Sequence, residues 1–255
     1  MLFPPIWPAA GIPQKIAASQ IHVWAWLLNP PTGSGDHEKS QIGLLDAKEL
    51  ERFHGFHFEN DRARFAIAHV NMRRILGAYL DREPKSVLFR FNSFGKPELV
   101  TEAQSPPLFF NLTHSRKIAL LALSMDSELG IDIEDIRPIE PEIADSHFSP
   151  TELADLSLLE GEAWLKGFYN CWTRKEAILK AEGVGLNLPL HSFDVSLIPG
   201  LPAKLRGVRP PAAFRRPWTL HNLTTPLQTV AALAAGSPQA EVLRFGFEAA
   251  LADSS

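Results

Sequence analysis

The apolar residues Phe65, Ala68, Met72, Ile75, Leu76 and Tyr79 fall on one stripe at helical period and predict an amphipathic helix over Asp61 to Leu80. Ile21 to Leu28, IHVWAWLL, has strand composition, and Val87, Phe89 and Phe91 alternate ahead of a turn, Asn92 to Pro97. Apolar runs near Leu108 to Leu112 and Ile118 to Leu123 lead into a third strand at Leu129 to Glu134, with a hairpin turn expected between the latter two at Met125 to Glu128. In FSPTELADLSLL, Ser149 or Thr151 is placed to cap a short helix that follows the proline-bearing connection RPIEPEI. A longer helix is expected from Phe168, closed by Gly183 and Gly185, and then a strand in NLPLHSFDVSL. Beyond Pro199 only LTTPLQTVAALAA and Val242 to Phe247 read as further strands. Strands and helices cluster rather than alternate, so the predicted fold class is α+β rather than a parallel α/β sheet.

The 255 residues suffice for one large domain or two small ones with a full core. With 45% hydrophobic residues, 21% charged residues and a formal net charge of -4, the composition is that of a soluble globular protein without a basic field for nucleic acid. The single cysteine, Cys171, excludes an internal disulfide framework and a multi-cysteine zinc site, and fits a reducing cytoplasm. The opening segment MLFPPIWPAAGIPQ has no basic n-region and is broken by prolines, so it does not read as a signal peptide. No apolar run approaches the length of a membrane span. Charge is uneven: Lys48 to Lys96 holds ten Lys or Arg against six Asp or Glu, whereas Asp126 to Glu162 holds twelve acidic residues and only Arg137 as a base. The first stretch suits an anionic ligand and the second suits cations, unless both are solvated faces.

Asp132 and Glu134 stand at i and i+2 of the third strand, so their carboxylates leave one face while Ile131 and Ile133 take the other. Two such charges about 6.7 Å apart repel by about 2.5 kcal/mol at an effective dielectric near 20, so a half-buried pair calls for a cation. Oxygen ligands suit a hard ion such as Mg²⁺; the plainer and commoner alternative is a doublet facing solvent. Trp172, Glu176 and Lys180 follow at four-residue steps on one helix face. Glu176 is then the natural third carboxylate, and Lys180 meets a phosphate oxygen or takes up a proton. Alternatively the two form a surface ion pair beside a core tryptophan. Asn111 to Ser115, NLTHS, gathers the Thr113 hydroxyl, the His114 imidazole and turn amides that suit a phosphate or an ordinary turn. Arg64 beside the helical stripe, Arg52 upstream and Lys96 in the glycine turn are either phosphate-binding cations or surface charge.

Taken together, the blocks FGKPEL at Phe94, FNLTHS at Phe110, GIDIEDI at Gly130 and FYNCWTRKEAILKAEGVGLNLPL at Phe168 resemble the 4'-phosphopantetheinyl transferase superfamily, in its large monomeric branch that activates peptide and polyketide synthetases. The resemblance covers about Arg52 to Val195, and its last two blocks are the specific ones. It implies two similar α+β halves about a pseudo-twofold axis, here residues 1–127 and 128–255, with coenzyme A in the cleft between them. It implies Asp132, Glu134 and Glu176 as ligands of Mg²⁺, with Mn²⁺ as a substitute, and Lys180 near the diphosphate. Asn111, Thr113 and His114 fall in the block that contacts coenzyme A, Lys96 in the glycine turn, and Arg64 and Arg52 near the 3'-phosphate. Thr113 replaces the usual serine, and Phe65 follows Arg64 where a small hydroxyl residue can assist the phosphate. Glu152 matches a recurrent glutamate whose role is either structural or that of a base.

The implied reaction transfers 4'-phosphopantetheine from coenzyme A to a serine of an acyl, peptidyl or aryl carrier protein, releasing adenosine 3',5'-bisphosphate. The expected protein is a cytoplasmic monomer that binds neither nucleic acid nor membrane. Glu176 is the first candidate for the base and Glu152 the second. The rival readings are a Mg²⁺-dependent phosphohydrolase and a silent binding module. Lys204 to Arg216, with five basic and no acidic residues, is either a carrier-docking patch or a solvated proline-rich loop.

Overall fold

The structure, a computed structural model, describes residues 15–28, 42–101, 106–225 and 228–246; the amino-terminal segment read for a signal peptide lies outside them, as does Phe247. Strand β1 (Gln20–Leu27) is followed by helices α1 (Ala47–Gly55) and α2 (Glu59–Leu80) and a small hairpin, β2 (Phe89–Phe91) and β3 (Pro97–Leu99). Next come strands β4 (Phe109–His114), β5 (Ile118–Ser124) and β6 (Leu129–Asp135), then helices α3 (Glu142–His147), α4 (Pro150–Leu156) and α5 (Gly161–Glu182). Strands β7 (Phe193–Val195), β8 (Leu205–Val208), β9 (Thr219–Leu223), β10 (Thr229–Ala235) and β11 (Glu241–Gly246) follow. The α+β class expected from the clustering of elements is the one observed.

Two sheets, ordered β11-β1-β5-β4 and β6-β10-β9, stack face to face. Strand alternation dictates the layers. Ile118, Leu120 and Ala122 of β5 join Ile21 and Val23 of β1 against Ile131, Ile133 and Leu233 of the other sheet. The intervening Ala119, Leu121 and Leu123 face the opposite way, onto Ala68, Met72, Ile75 and Leu76 of α2. Ala232 and Ala234 of β10 turn outward in the same manner onto Phe168, Cys171 and Ile178 of α5. The order of layers is therefore helix, sheet, sheet, helix, and β5 is an unbroken apolar run because both of its faces are covered.

The hairpin expected between β5 and β6 does not form. β5 pairs with β1 and β4, β6 pairs with β10, and Met125 to Glu128 carry the chain from one sheet to the other. Strands apolar on both faces can stack as well as pair, and the run alone does not choose between these. The C-terminal strand β11 returns to the first sheet, parallel to β1. Helix α1, which has no long apolar run, is marked instead by a capping box: Asp46 accepts from the Glu49 amide at 2.9 Å and Glu49 from the Asp46 amide at 3.0 Å. At α4 the cap is Ser149, not Thr151.

Two local features bring the sheets and helix α5 into contact. A Cβ at Gly130 would collide with the Ala177 carbonyl oxygen and the Ala181 nitrogen, so the missing side chain allows β6 to press directly on α5. On the other flank, the Asn111 side-chain oxygen of β4 accepts from the Ile131 amide of β6 at 2.8 Å. Edge strands of the two sheets are thus tied by a side chain where no ladder joins them.

Candidate active site

The junction of β4, β6 and α5 holds most of the residues that the sequence singles out. Lys180 donates to Asp132 Oδ1 at 2.6 Å, to Thr113 Oγ1 at 3.1 Å and to the Ile131 carbonyl at 3.2 Å. Thr113 lies 3.4 Å from the same Asp132 oxygen. Asp132 is 4% exposed, and its second oxygen, Oδ2, is buried without a hydrogen-bond partner. Half-buried Glu134 is pushed up to about 7, first by loss of hydration and then by the charge of Asp132. Glu176, also half-buried, is raised for the same two reasons in the same order. Lys180 opposes both shifts.

Three carboxylates therefore share one ammonium, and two of them resist ionisation. Oxygen donors with surplus negative charge and an orphaned buried carboxylate oxygen fit a hard divalent cation. They do not stand as a closed cage: among the described residues no three His, Cys, Asp or Glu side chains group closely enough to hold a metal ion.

Beside this cluster runs a cleft of ≈ 340 Å³ whose walls include Arg52, Arg64, His114, Arg116, Glu134 and Arg137. A second hollow of ≈ 390 Å³ shares Arg52, Phe65, His69 and His114 with it and adds Lys48 and Asn111. His114 opens onto both hollows; loss of hydration first, and then the nearby charges of His69, Lys180 and Arg52, lower its pKa against a backbone hydrogen bond at Ser115 that raises it. Arg52 lies over the Phe65 ring at 5.4 Å, so Phe65, which offers no hydroxyl, seats a cation instead. Arg64 is held by Asp61 at 3.1 Å.

Two candidates lie elsewhere. Lys96 lines a different hollow, where its ammonium donates to Glu128 at 2.6 Å and to the Leu129 and Ala181 carbonyls at 3.3 and 3.2 Å. It clamps the start of β6 to the end of α5. Glu152 is fully buried: its oxygens accept from the Ser149 and Val195 amides at 2.9 and 2.7 Å and pair with the buried ammonium of Lys175 at 2.8 Å. Trp172 packs edge-on to His147 and stacks on Phe168.

The sequence reading passed over His69, Arg116 and Arg137 on the cleft walls. It also passed over the network behind them, in which Glu49 holds His69 at 2.8 Å and Arg73 at 2.5 Å, while Asp46 holds Arg73 at 2.6 Å. The capping box at Asp46 and Glu49 was the one local signal that would have drawn attention to it. The basic segment from Lys204 is largely engaged: Arg206 pairs with Asp155, Arg209 with Asp194, and Arg215 with Glu182.

Comparison with known proteins gives a consistent set of likenesses. A profile of the 4'-phosphopantetheinyl transferase superfamily matches residues 128–234. The chain is 35% identical over 221 residues to the 4'-phosphopantetheinyl transferase HetI of Nostoc sp., covering 86% of this chain and 89% of that protein. It is 30% identical over 176 residues to the 4'-phosphopantetheinyl transferase Sfp of Bacillus subtilis, covering 69% and 76%.

Proposed function

Because the chain belongs to the 4'-phosphopantetheinyl transferase superfamily, we propose that it moves the 4'-phosphopantetheine group of coenzyme A to a serine of an apo acyl, peptidyl or aryl carrier protein and releases adenosine 3',5'-bisphosphate. The observation that carries this reading is the junction of β4, β6 and α5, where Lys180, Thr113 and Asp132 meet beside two carboxylates of raised pKa and an arginine-lined cleft.

Phosphoryl transfer asks the protein chiefly for positioning and charge neutralisation. Arg52 and Arg64 hold the 3'-phosphate end of the donor in the cleft. His114 donates a hydrogen bond to the diphosphate, and the Thr113 hydroxyl supplies a second. Lys180, which pairs with Asp132, turns its charge to the oxygens on which negative charge grows as the bisphosphate departs. Asp132, Glu134 and Glu176 would hold Mg²⁺ or Mn²⁺, which when bound neutralises the diphosphate. Glu176 accepts the proton of the attacking serine; burial and the charge of Asp132 raise its pKa, which makes it a stronger base than an ordinary carboxylate. Glu152 is not given this role, since both its oxygens are committed to α4, β7 and Lys175. Lys96 acts as a strut rather than a ligand contact. The working unit is a cytoplasmic monomer of two halves meeting near Ser127, with the site on the seam.

Incubation with coenzyme A, Mg²⁺ and an apo-carrier protein should add the mass of phosphopantetheine to the carrier, and chelation should stop it. Release of bisphosphate without any carrier would favour hydrolysis instead. A panel of apo-carriers from fatty acid, polyketide and nonribosomal peptide pathways would then rank the acceptors.

A further inference from the structure

Helix α5 buries a second cation that the proposed chemistry does not use. Arg174 is 1% exposed, and among the described residues its guanidinium touches only neutral groups: the Ser196 carbonyl, the Ser196 hydroxyl at 3.2 Å and the Asn222 side-chain oxygen at 2.8 Å. Its buried Nε has no hydrogen-bond partner among the described residues, and no described carboxylate forms an ion pair with it. Buried arginines ordinarily pair with an anion, because a desolvated charge is costly alone. Arg73 in α2 shows the ordinary solution, with two carboxylates on one guanidinium.

Arg174 forms part of the wall of a hollow of ≈ 250 Å³ between α5 and the facing ends of strands β9 and β10. Lys166 and Asn170 line it too, and with Arg174 they recur every four residues along one face of the helix. At about 100° per residue this face lies well round the helix from Glu176 and Lys180. On the opposite wall the Thr225 hydroxyl donates to the Thr229 carbonyl at 3.2 Å and the Thr229 hydroxyl to Thr225 Oγ1 at 2.7 Å, and none of the lining residues is acidic. The hollow thus combines two cations with a polar wall, and no described carboxylate lines it.

We propose that this hollow is an anion-binding site for a small oxyanion of the inorganic phosphate or sulfate class, separate from the candidate active site. The anion supplies the counter-charge that Arg174 lacks, and Lys166 closes over it from the rim. Occupancy would tie α5, which carries Glu176 and Lys180, to strands β9 and β10.

The test is calorimetric titration of inorganic phosphate into the full chain, with chloride adjusted to constant ionic strength. Saturable binding is expected, weakened at least about threefold by Lys166→Ala, which removes one charged contact at the rim. Arg174→Lys, which keeps the charge but loses the fork, should weaken it further; if that variant does not fold, Lys166→Glu, which reverses the charge at the rim, serves in its place and should abolish binding. Phosphate can also enter the arginine cleft, so Arg64→Ala is run in parallel and should leave this binding in place. Lys166→Ala should transfer phosphopantetheine at the unaltered rate. Wild-type-strength binding in Lys166→Ala, loss of all binding in Arg64→Ala, or no phosphate effect beyond that of chloride would each overturn the proposal.

Discussion

Helices α2 and α5 are both 22 residues long, both begin without a side-chain cap and both end on a left-handed residue, Asp81 and Gly183, yet they dispose of charge differently. In α2 the buried cation, Arg73, is answered by Asp46 and Glu49, and Glu49 in turn fixes His69. In α5 the fully buried Lys175 is answered by Glu152, but Arg174 has only neutral partners among the described residues, and Glu176 stands near Asp132 with too few cations to go round. Satisfied charge is architecture; charge left unsatisfied in a folded protein costs stability and marks places where a ligand completes the arrangement.

The comparison breaks first where a satisfied pair is cut. Glu152→Ala strands the Lys175 ammonium in the interior and should cost about 3–5 kcal/mol in chemical denaturation, as removal of one partner of a buried pair does. A loss below about 1 kcal/mol would mean that Lys175 finds water or another partner. Gly130→Ala should follow at about 1–3 kcal/mol or more, because the added methyl meets the α5 backbone rather than a flexible side chain. Transfer activity should fall further than stability, since β6 and α5 would be forced apart where Asp132 and Lys180 meet.

The next test probes the unsatisfied side. Glu134 titrates at about 7 in the folded protein against an ordinary 4.5, so the native state holds this proton more tightly than the unfolded chain. Its contribution is present below pH about 4.5 and lost as pH rises through about 7. Melting temperatures in chelator should therefore fall across that window, Glu134→Gln should flatten the fall, and Mg²⁺ should restore stability above it. A smaller and more selective effect is expected at the cleft. Arg64→Ala should raise KM for coenzyme A about tenfold, by loss of a charged hydrogen bond, and leave a 3'-dephosphorylated donor unaffected. Equal losses for both donors would remove Arg64 from the 3'-phosphate.

What was legible in the chain follows the range of the forces involved. The stripe of α2 and the run of β5 are local periodicities set by burial, and they appear where expected, as does the alternation that puts Asp132 and Glu134 on the α5 side of β6. The shared face of Asp132 and Glu134 on β6 and that of Glu176 and Lys180 on α5 were legible because i, i+2 and i, i+4 spacings fix faces before any tertiary contact is known, but the pairing of Lys180 with Asp132 was not. The partner of β6 was not, since β5, apolar on both faces, offers it an edge or a face equally. Neither were the carboxylates around Arg73 nor the neutral shell around Arg174, whose partners come from distant elements. Lys96 shows the same limit: its turn was read correctly, while the target of its ammonium depends on where β6 and α5 end.

The central claim is that the carboxylates beside Lys180 serve transfer and not the fold, and Glu176→Gln tests it most directly. The substitution removes a charge that the folded protein resists forming, so the variant should melt at or above the wild-type temperature. At the same time the mass shift of an apo-carrier protein incubated with coenzyme A and Mg²⁺ should all but vanish. A variant that folds normally and still modifies the carrier at most of the wild-type rate would contradict the account.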